Sequence, residues 1–107
     1  MGRFLILYNS PVSARDQMAG ADPDQARAGM EAWMAWAQKA GEALVDLGQP
    51  VQAIARVGAD GGDPQVAGYS IMEGESGQIE ALLADHPHGQ IPGNSIDVLE
   101  ALPVPGQ

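Results

Sequence analysis

Most of the chemistry this chain could perform sits on a few polar residues that interrupt apolar stretches. His86 follows Ile79, Leu82 and Leu83 at i, i+3, i+4, i+7 spacing, which places it at the end of an amphipathic helix. A helix C-terminus favours the imidazolium, so from an ordinary pKa near 6.5 a modest upward shift would leave His86 titrating close to neutrality as an acid or base. The plainer alternative is a helix-terminal histidine that bonds the last carbonyls. Asp97 breaks an apolar strand on the face opposite Ile96 and Val98. If those two pack under helices, Asp97 points into an open cleft, where a desolvated carboxylate can act as a base. The alternative is a carboxylate that accepts hydrogen bonds from a neighbouring strand or from a second subunit. Tyr8, Tyr69 and Ser70 bring hydroxyls to strand positions. Tyr8 and Ser70 are candidate substrate contacts, against plain core packing with a polar tip at the rim. Trp36, about 100° off the main apolar stripe of its helix, is expected against a partner chain or a ligand.

Other chemistries lack their residues. There is no cysteine, hence no disulfide framework, thiolate zinc site or cysteine nucleophile. His86 and His88 flank a proline, but zinc generally needs three or four protein ligands and no third is recognisable, so no metal and no cofactor is expected. The glycines of 58–62 precede neither a G-K-[ST] run nor a helix, so they are no phosphate loop, and no serine sits on a nucleophile elbow. With 14 acidic against 5 basic residues the net charge is −9, which sets the chain against nucleic acid and anionic membranes. The first apolar run, residues 4–8, is too short for a signal-peptide core, and no stretch approaches a membrane span. A cytoplasmic setting is the expectation.

The elements that position these residues can be read from periodicity. Residues 2–8 (G-R-F-L-I-L-Y) form a strand whose run of apolar residues implies a central place, followed by a loop over 9–21. Asp22 can cap a helix with Pro23 at its first position, running to about residue 40. Its apolar stripe is predicted as Ala26, Met30, Trp33, Met34 and Ala37, continuing to Gly41 and Leu44. Residues 43–57 turn β-like, interrupted at Gly48-Gln49-Pro50, and a loop covers 58–65. A strand over 66–73 puts Tyr69 and Ile71 on one face and Ser70 and Met72 on the other. Ser76 caps a second helix that Pro87 ends, and a last strand runs from 95 to 102 before the Pro-rich tail 103–107.

The order β-α-β-β-α-β within a single domain of residues 1–107 predicts a ferredoxin-like α+β sandwich on an antiparallel sheet. Both helices cover one sheet face, yet the strands look apolar on both sides. The core is also thin: alanine supplies 17 of the apolar residues, while Leu, Ile, Val and Phe together supply 22. Burial stabilises in proportion to apolar area, so a lone chain with few large side chains would be marginal. A homodimer joined sheet to sheet is therefore expected, enclosing a barrel-like cleft for an unknown small molecule.

The segments R-F-L-I-L-Y, M-E-A-W-M-A-W-A-Q-K-A-G-E-A-L, G-Y-S-I-M-E-G-E-S followed by L-L-A-D-H-P-H, and S-I-D-V-L-E-A-L-P resemble the YCII-related (YciI-like, DGPF-domain) proteins. The resemblance covers about residues 3–103 and is most specific from Gly68 to Pro87. It implies a ferredoxin-like protomer pairing into a dimeric α/β barrel. The founding branch carries a proposed His–Asp acid–base pair, whose positions here fall on Met30 and His86, so the pair is not retained. The D-G-P-F motif is missing too, with Gly61-Gly62-Asp63-Pro64 echoing only its composition. One branch dehydrochlorinates a chlorinated hydroquinone, chemistry that the lost pair does not transfer. The functional expectation is a small-molecule-binding homodimer, of lyase or isomerase type if His86 and Asp97 exchange a proton across the cleft. The alternative is a non-catalytic binding or interaction module on the same fold.

Overall fold

The computed structural model of the chain describes residues 2–11, 20, 22–58 and 65–105. Most of the loop expected over 9–21, the turn at 59–64 and the last two residues of the tail lie outside the described residues. Six main elements follow in order: β1 (Gly2–Asn9), α1 (Pro23–Ala40), β2 (Leu44–Asp46), β3 (Val66–Gly74), α2 (Ser76–Ala84) and β4 (Ser95–Glu100). Short 3-10 turns lie at Gly41–Ala43 and Pro87–Gln90. The four strands form one sheet in the order β2-β3-β1-β4, every neighbouring pair antiparallel. The class is α+β, with a strand order and helix count compatible with a ferredoxin-like protomer.

Strand alternation decides where the core lies. Phe4, Ile6 and Tyr8 of β1 share one face with Ser70 and Met72 of β3, and all five are buried. Trp36 and Ala40 of α1 and Ile79 and Leu83 of α2 complete the same cluster, so both helices pack on this face. Full burial of a side chain such as Ile6, Met72 or Ile79 stabilises by roughly 1.5–3 kcal/mol.

α1 begins as its sequence dictates. Asp22 is extended and accepts from the Asp24 amide at 3.4 Å, Pro23 takes the first helical position, and Gly41 closes the end at φ 57°. Its buried face differs from the expected stripe. Trp33, Trp36, Ala37 and Ala40 pack on the core, whereas Met30 and Met34 are 61% and 46% exposed and Ala26 is also exposed. The buried stripe is thus rotated toward the two tryptophans, and it is confined to the second half of the helix. Residues 23–32 are exposed on every side.

The β-like stretch 43–57 shrinks to three strand residues. Pro50 still bridges Gly68 and the Val51 amide still reaches the Ala67 carbonyl at 3.0 Å. Beyond Val51 the antiparallel register reaches the start of β3 at Val66, so residues 53–57 face no strand among the described residues, and Ile54 and Val57 are almost fully exposed.

The second sheet face carries Leu5 and Leu7 of β1, Tyr69 and Ile71 of β3, and Leu99 of β4, paired laterally across the sheet. Among the described residues no helix covers it. Leu5 and Leu99 are 39% and 46% exposed, while Leu7, Tyr69 and Ile71 are half-buried. Arg3 and Glu73 close one end of this face with an ion pair at 3.2 Å. Among the described residues no helix is long and apolar enough to cross a membrane.

Candidate functional site

The residues singled out in the sequence fall into two groups on opposite faces of the sheet. Tyr8, Ser70, Trp36 and His86 meet on the helix-covered face. Asp97 lies on the uncovered one, in register with Leu7, which in turn faces Tyr69.

His86 owes its place to Pro87. A residue before proline is pushed out of the helical region, and His86 is extended at φ −66°, ψ 135°, with α2 already ended at Ala84. From there the ring turns inward and is fully buried. It stacks on Tyr8 with centroids 4.8 Å apart and makes T-shaped contacts with Trp33 and Trp36, both at 4.3 Å. Its Nδ1 accepts the His88 amide at 3.0 Å and thereby caps the Pro87–Gln90 turn. An Nδ1 that accepts fixes the tautomer, so the proton sits on Nε2, which has no hydrogen-bond partner. Burial, reinforced by the His88 ring, pushes the imidazole down to about 4. This reverses the upward shift expected from the helix end, since the side chain leaves the helix axis and its carbonyls for an apolar box. His86 is a neutral capping group at neutral pH. Its main-chain amide donates to the Leu83 carbonyl at 3.1 Å, but its ring bonds no carbonyl of α2 and carries no charge.

Around it the polar groups are closed off. The Tyr8 hydroxyl donates to Ser70 Oγ at 2.8 Å and Ser70 donates onward to the Leu47 carbonyl at 2.6 Å, both residues fully buried. Burial raises the Tyr8 hydroxyl to about 12, against the lowering effect of the Ser70 bond. Trp36 Nε1 donates to the Leu82 carbonyl at 2.8 Å and the ring is 4% exposed. Trp36 therefore ties α1 to α2 inside the core, which corrects its expected place against a partner chain. Tyr8, Ser70 and Trp36 are packed and paired here, with no free tip toward a ligand. Met30 stands exposed on the first half of α1.

Asp97 has the opposite environment. It is exposed on β4, and the Asn9 side-chain amide donates to its Oδ2 at 2.9 Å and to Ser95 Oγ at 3.4 Å. Asn9, which no pattern along the chain singles out, ends β1 where the register with β3 slips between Tyr8 and Asn9. Its carbonyl accepts from His88 Nε2 at 2.8 Å, so His88 is buried and pinned. Only the antiparallel pairing of β1 with β4, invisible along the chain, brings Asn9 beside Asp97. Among the described residues no three His, Asp or Glu side chains converge as metal ligands.

The arrangement leaves an oriented carboxylate beside an apolar sheet face, able to accept a hydrogen bond from a hydroxyl, amide or ammonium group, or to take a proton. The sheet stands between Asp97 and His86, so one cleft does not hold both. No family model matches the chain, and no curated protein matches it either.

Proposed function

We propose that the chain is a YCII-related protomer of a homodimeric α/β barrel that binds a small organic molecule between the two sheets. The observation that supports this most directly is the uncovered face of Leu5, Leu7, Tyr69, Ile71 and Leu99. Contiguous apolar surface of this kind marks an interaction site. A second copy suits it because a two-fold axis sets the same apolar patch against itself. The Arg3–Glu73 pair neutralises its own end, so the approach of a twin meets little repulsion there despite a net charge of −9. Asp97, oriented by Asn9, then supplies the polar anchor of the enclosed cleft.

Sedimentation velocity over a micromolar-to-nanomolar dilution series tests the pairing. A dimer that dissociates on Leu5→Glu, with the fold retained by circular dichroism, is the expected result. A wild-type chain that sediments as a monomer throughout would overturn it. For the ligand, thermal shift against small hydroxylated, amidated and amino compounds should give stabilisers whose effect Asp97→Ala removes.

The burial of His86 favours a second reading, a non-catalytic binding module on the same dimer, because the histidine expected to exchange a proton with Asp97 lies on the other side of the sheet. Deuterium exchange into a bound carbon acid, lost in Asp97→Asn, separates a proton-transfer enzyme from a pure binder.

A further inference from the structure

The two faces are joined by one line of contacts. His86 Nδ1 accepts from the His88 amide at 3.0 Å, His88 Nε2 donates to the Asn9 carbonyl at 2.8 Å, and Asn9 Nδ2 donates to Asp97 Oδ2 at 2.9 Å. We propose that the Pro87–Gln90 turn is a proton-operated coupler in which His88 and Asn9 are positioning residues that relay the protonation state of His86 to the carboxylate of Asp97.

The polarity of each bond selects His86 as the operator. His88 Nε2 donates whether the ring is neutral or charged, and the Asn9 amide does not titrate, so neither bond changes sign with pH. The bond from the His88 amide to His86 Nδ1 does change sign. A proton taken up from solvent on Nδ1 makes it a donor, so two N–H groups then face each other across the cap of a one-turn 3-10 helix. The charged ring also bears a desolvation cost that the neutral ring does not, because an imidazolium among indole rings keeps few of its hydrogen bonds.

Among the described residues no carboxylate packs on His86 to pair with such a charge. β1 presents Tyr8, a neutral phenol that burial holds at about 12, and the turn presents His88. α1 presents Trp33 and Trp36, which do not titrate. The neighbouring Asp85 carboxylate is exposed and engaged with Lys39 Nζ at 2.6 Å. The low pKa of His86, about 4, agrees with this accounting. Loss of the cap frees His88, and the Asn9 carbonyl loses its donor at the irregular end of β1, where the register slip gives the backbone room to shift. The inference holds within a single chain and does not require a twin, so its failure and that of the dimer are separate events.

The experiment is a nitrogen-15 NMR titration of the full chain from pH 7 to pH 3.5. It follows the His86 ring nitrogens, the His88 amide and the Asn9 side-chain amide, with β3 amides as a control. One shared midpoint, well below that of an ordinary histidine, is expected for the first three, with β3 unmoved. The titration is repeated in Asp97→Asn, which still offers the Asn9 amide an acceptor but has no carboxyl to move its signal directly. In that background His86→Asn keeps an acceptor two residues before the His88 amide and cannot titrate, so the Asn9 signal should stay flat. An Asn9 signal that stays fixed while wild-type His86 titrates would overturn the coupler. So would a simultaneous loss of all resonances, β3 included. The Asp97→Asn titration with His86 intact decides the matter even if the His86→Asn variant does not fold: an Asn9 signal that moves with His86 there supports the coupler, and one that stays fixed overturns it.

Discussion

The Tyr8 hydroxyl donates to Ser70 Oγ at 2.8 Å on the adjacent strand, and the Ser70 hydroxyl donates in turn to the Leu47 carbonyl at 2.6 Å. This chain fastens the loop after β2 to the centre of the sheet through groups that solvent does not reach. Its two links are unequal. Tyr8→Phe removes one donor and leaves Ser70 still bonded to Leu47, at a cost of about 1 kcal/mol. Ser70→Ala orphans both the Tyr8 hydroxyl and the Leu47 carbonyl, and should cost about 2–4 kcal/mol. Urea unfolding of the two variants checks the ranking. Equal losses would show that the onward bond to Leu47 contributes nothing.

Trp36→Ala is expected to destabilise the fold by about 3–5 kcal/mol, the range for removing a buried aromatic ring. It opens a cavity beside His86 and frees the Leu82 carbonyl. At concentrations where the variant remains folded, its self-association should match the wild type, since the ring lies on the face away from Leu5 and Leu99. Denaturant unfolding and sedimentation, measured on the same preparation, separate the two effects.

The succession of strands and helices along the chain is legible because it rests on local signals: the cap at Asp22-Pro23, the apolar run of β1, alternation in β3, and the proline after His86. Trp36 was misplaced because a helical wheel shows which residues are apolar and not which part of a helix lies over a sheet. Residues 23–32 of α1 are exposed, Met30 among them, and in the second half the buried side is that of Trp36 and Ala40 rather than that of Met34. His86 was found as a residue of interest for the wrong electrostatic reason. Its depressed pKa comes from rings contributed by residues 8, 33 and 36, distant in sequence and brought together only by the fold. Asp97 was placed on the right face by alternation alone. Its partner Asn9 depended on knowing which strand lies beside β4.

Gly48 should resist substitution. Its φ of 76° lies in the left-handed region, its amide bonds Asp46 Oδ1 at 2.9 Å, and an added Cβ would sit 1.8 Å from the Tyr69 carbonyl oxygen. The backbone preference alone costs roughly 1 kcal/mol, and the collision with main chain adds to it. Gly48→Ala should therefore lose more than about 2 kcal/mol. Gly29→Ala, in the exposed half of α1 with open space around its Cβ position, should gain about 0.5–1 kcal/mol from helix propensity. Opposite signs for the two changes in thermal unfolding are the expected outcome.

Stability should fall as the pH drops from near 6.5 to about 4, with His86 as the main histidine responsible. The unfolded chain binds a proton on this ring at its ordinary pKa, whereas the folded chain holds it neutral until about pH 4. Between those values the unfolded state carries the extra proton, so acidification favours it. Above pH 6.5 both forms are neutral and the residue adds no slope. A depression of this size corresponds to roughly 3 kcal/mol across the window. Asp85 adds a separate acid sensitivity at lower pH, because the hydrogen bond and charge of Lys39 hold its carboxyl below the usual range, and that pair is lost as the carboxyl is protonated. Lys39→Met should remove the lower component and leave the slope between pH 6.5 and 4 intact. His86→Asn should flatten that upper slope and keep the Asp85 component. Denaturant midpoints collected at half-unit pH steps for the three chains resolve the two contributions. A wild-type stability that is level from pH 7 to 4.5 would mean that the imidazole is not held neutral in the aromatic box.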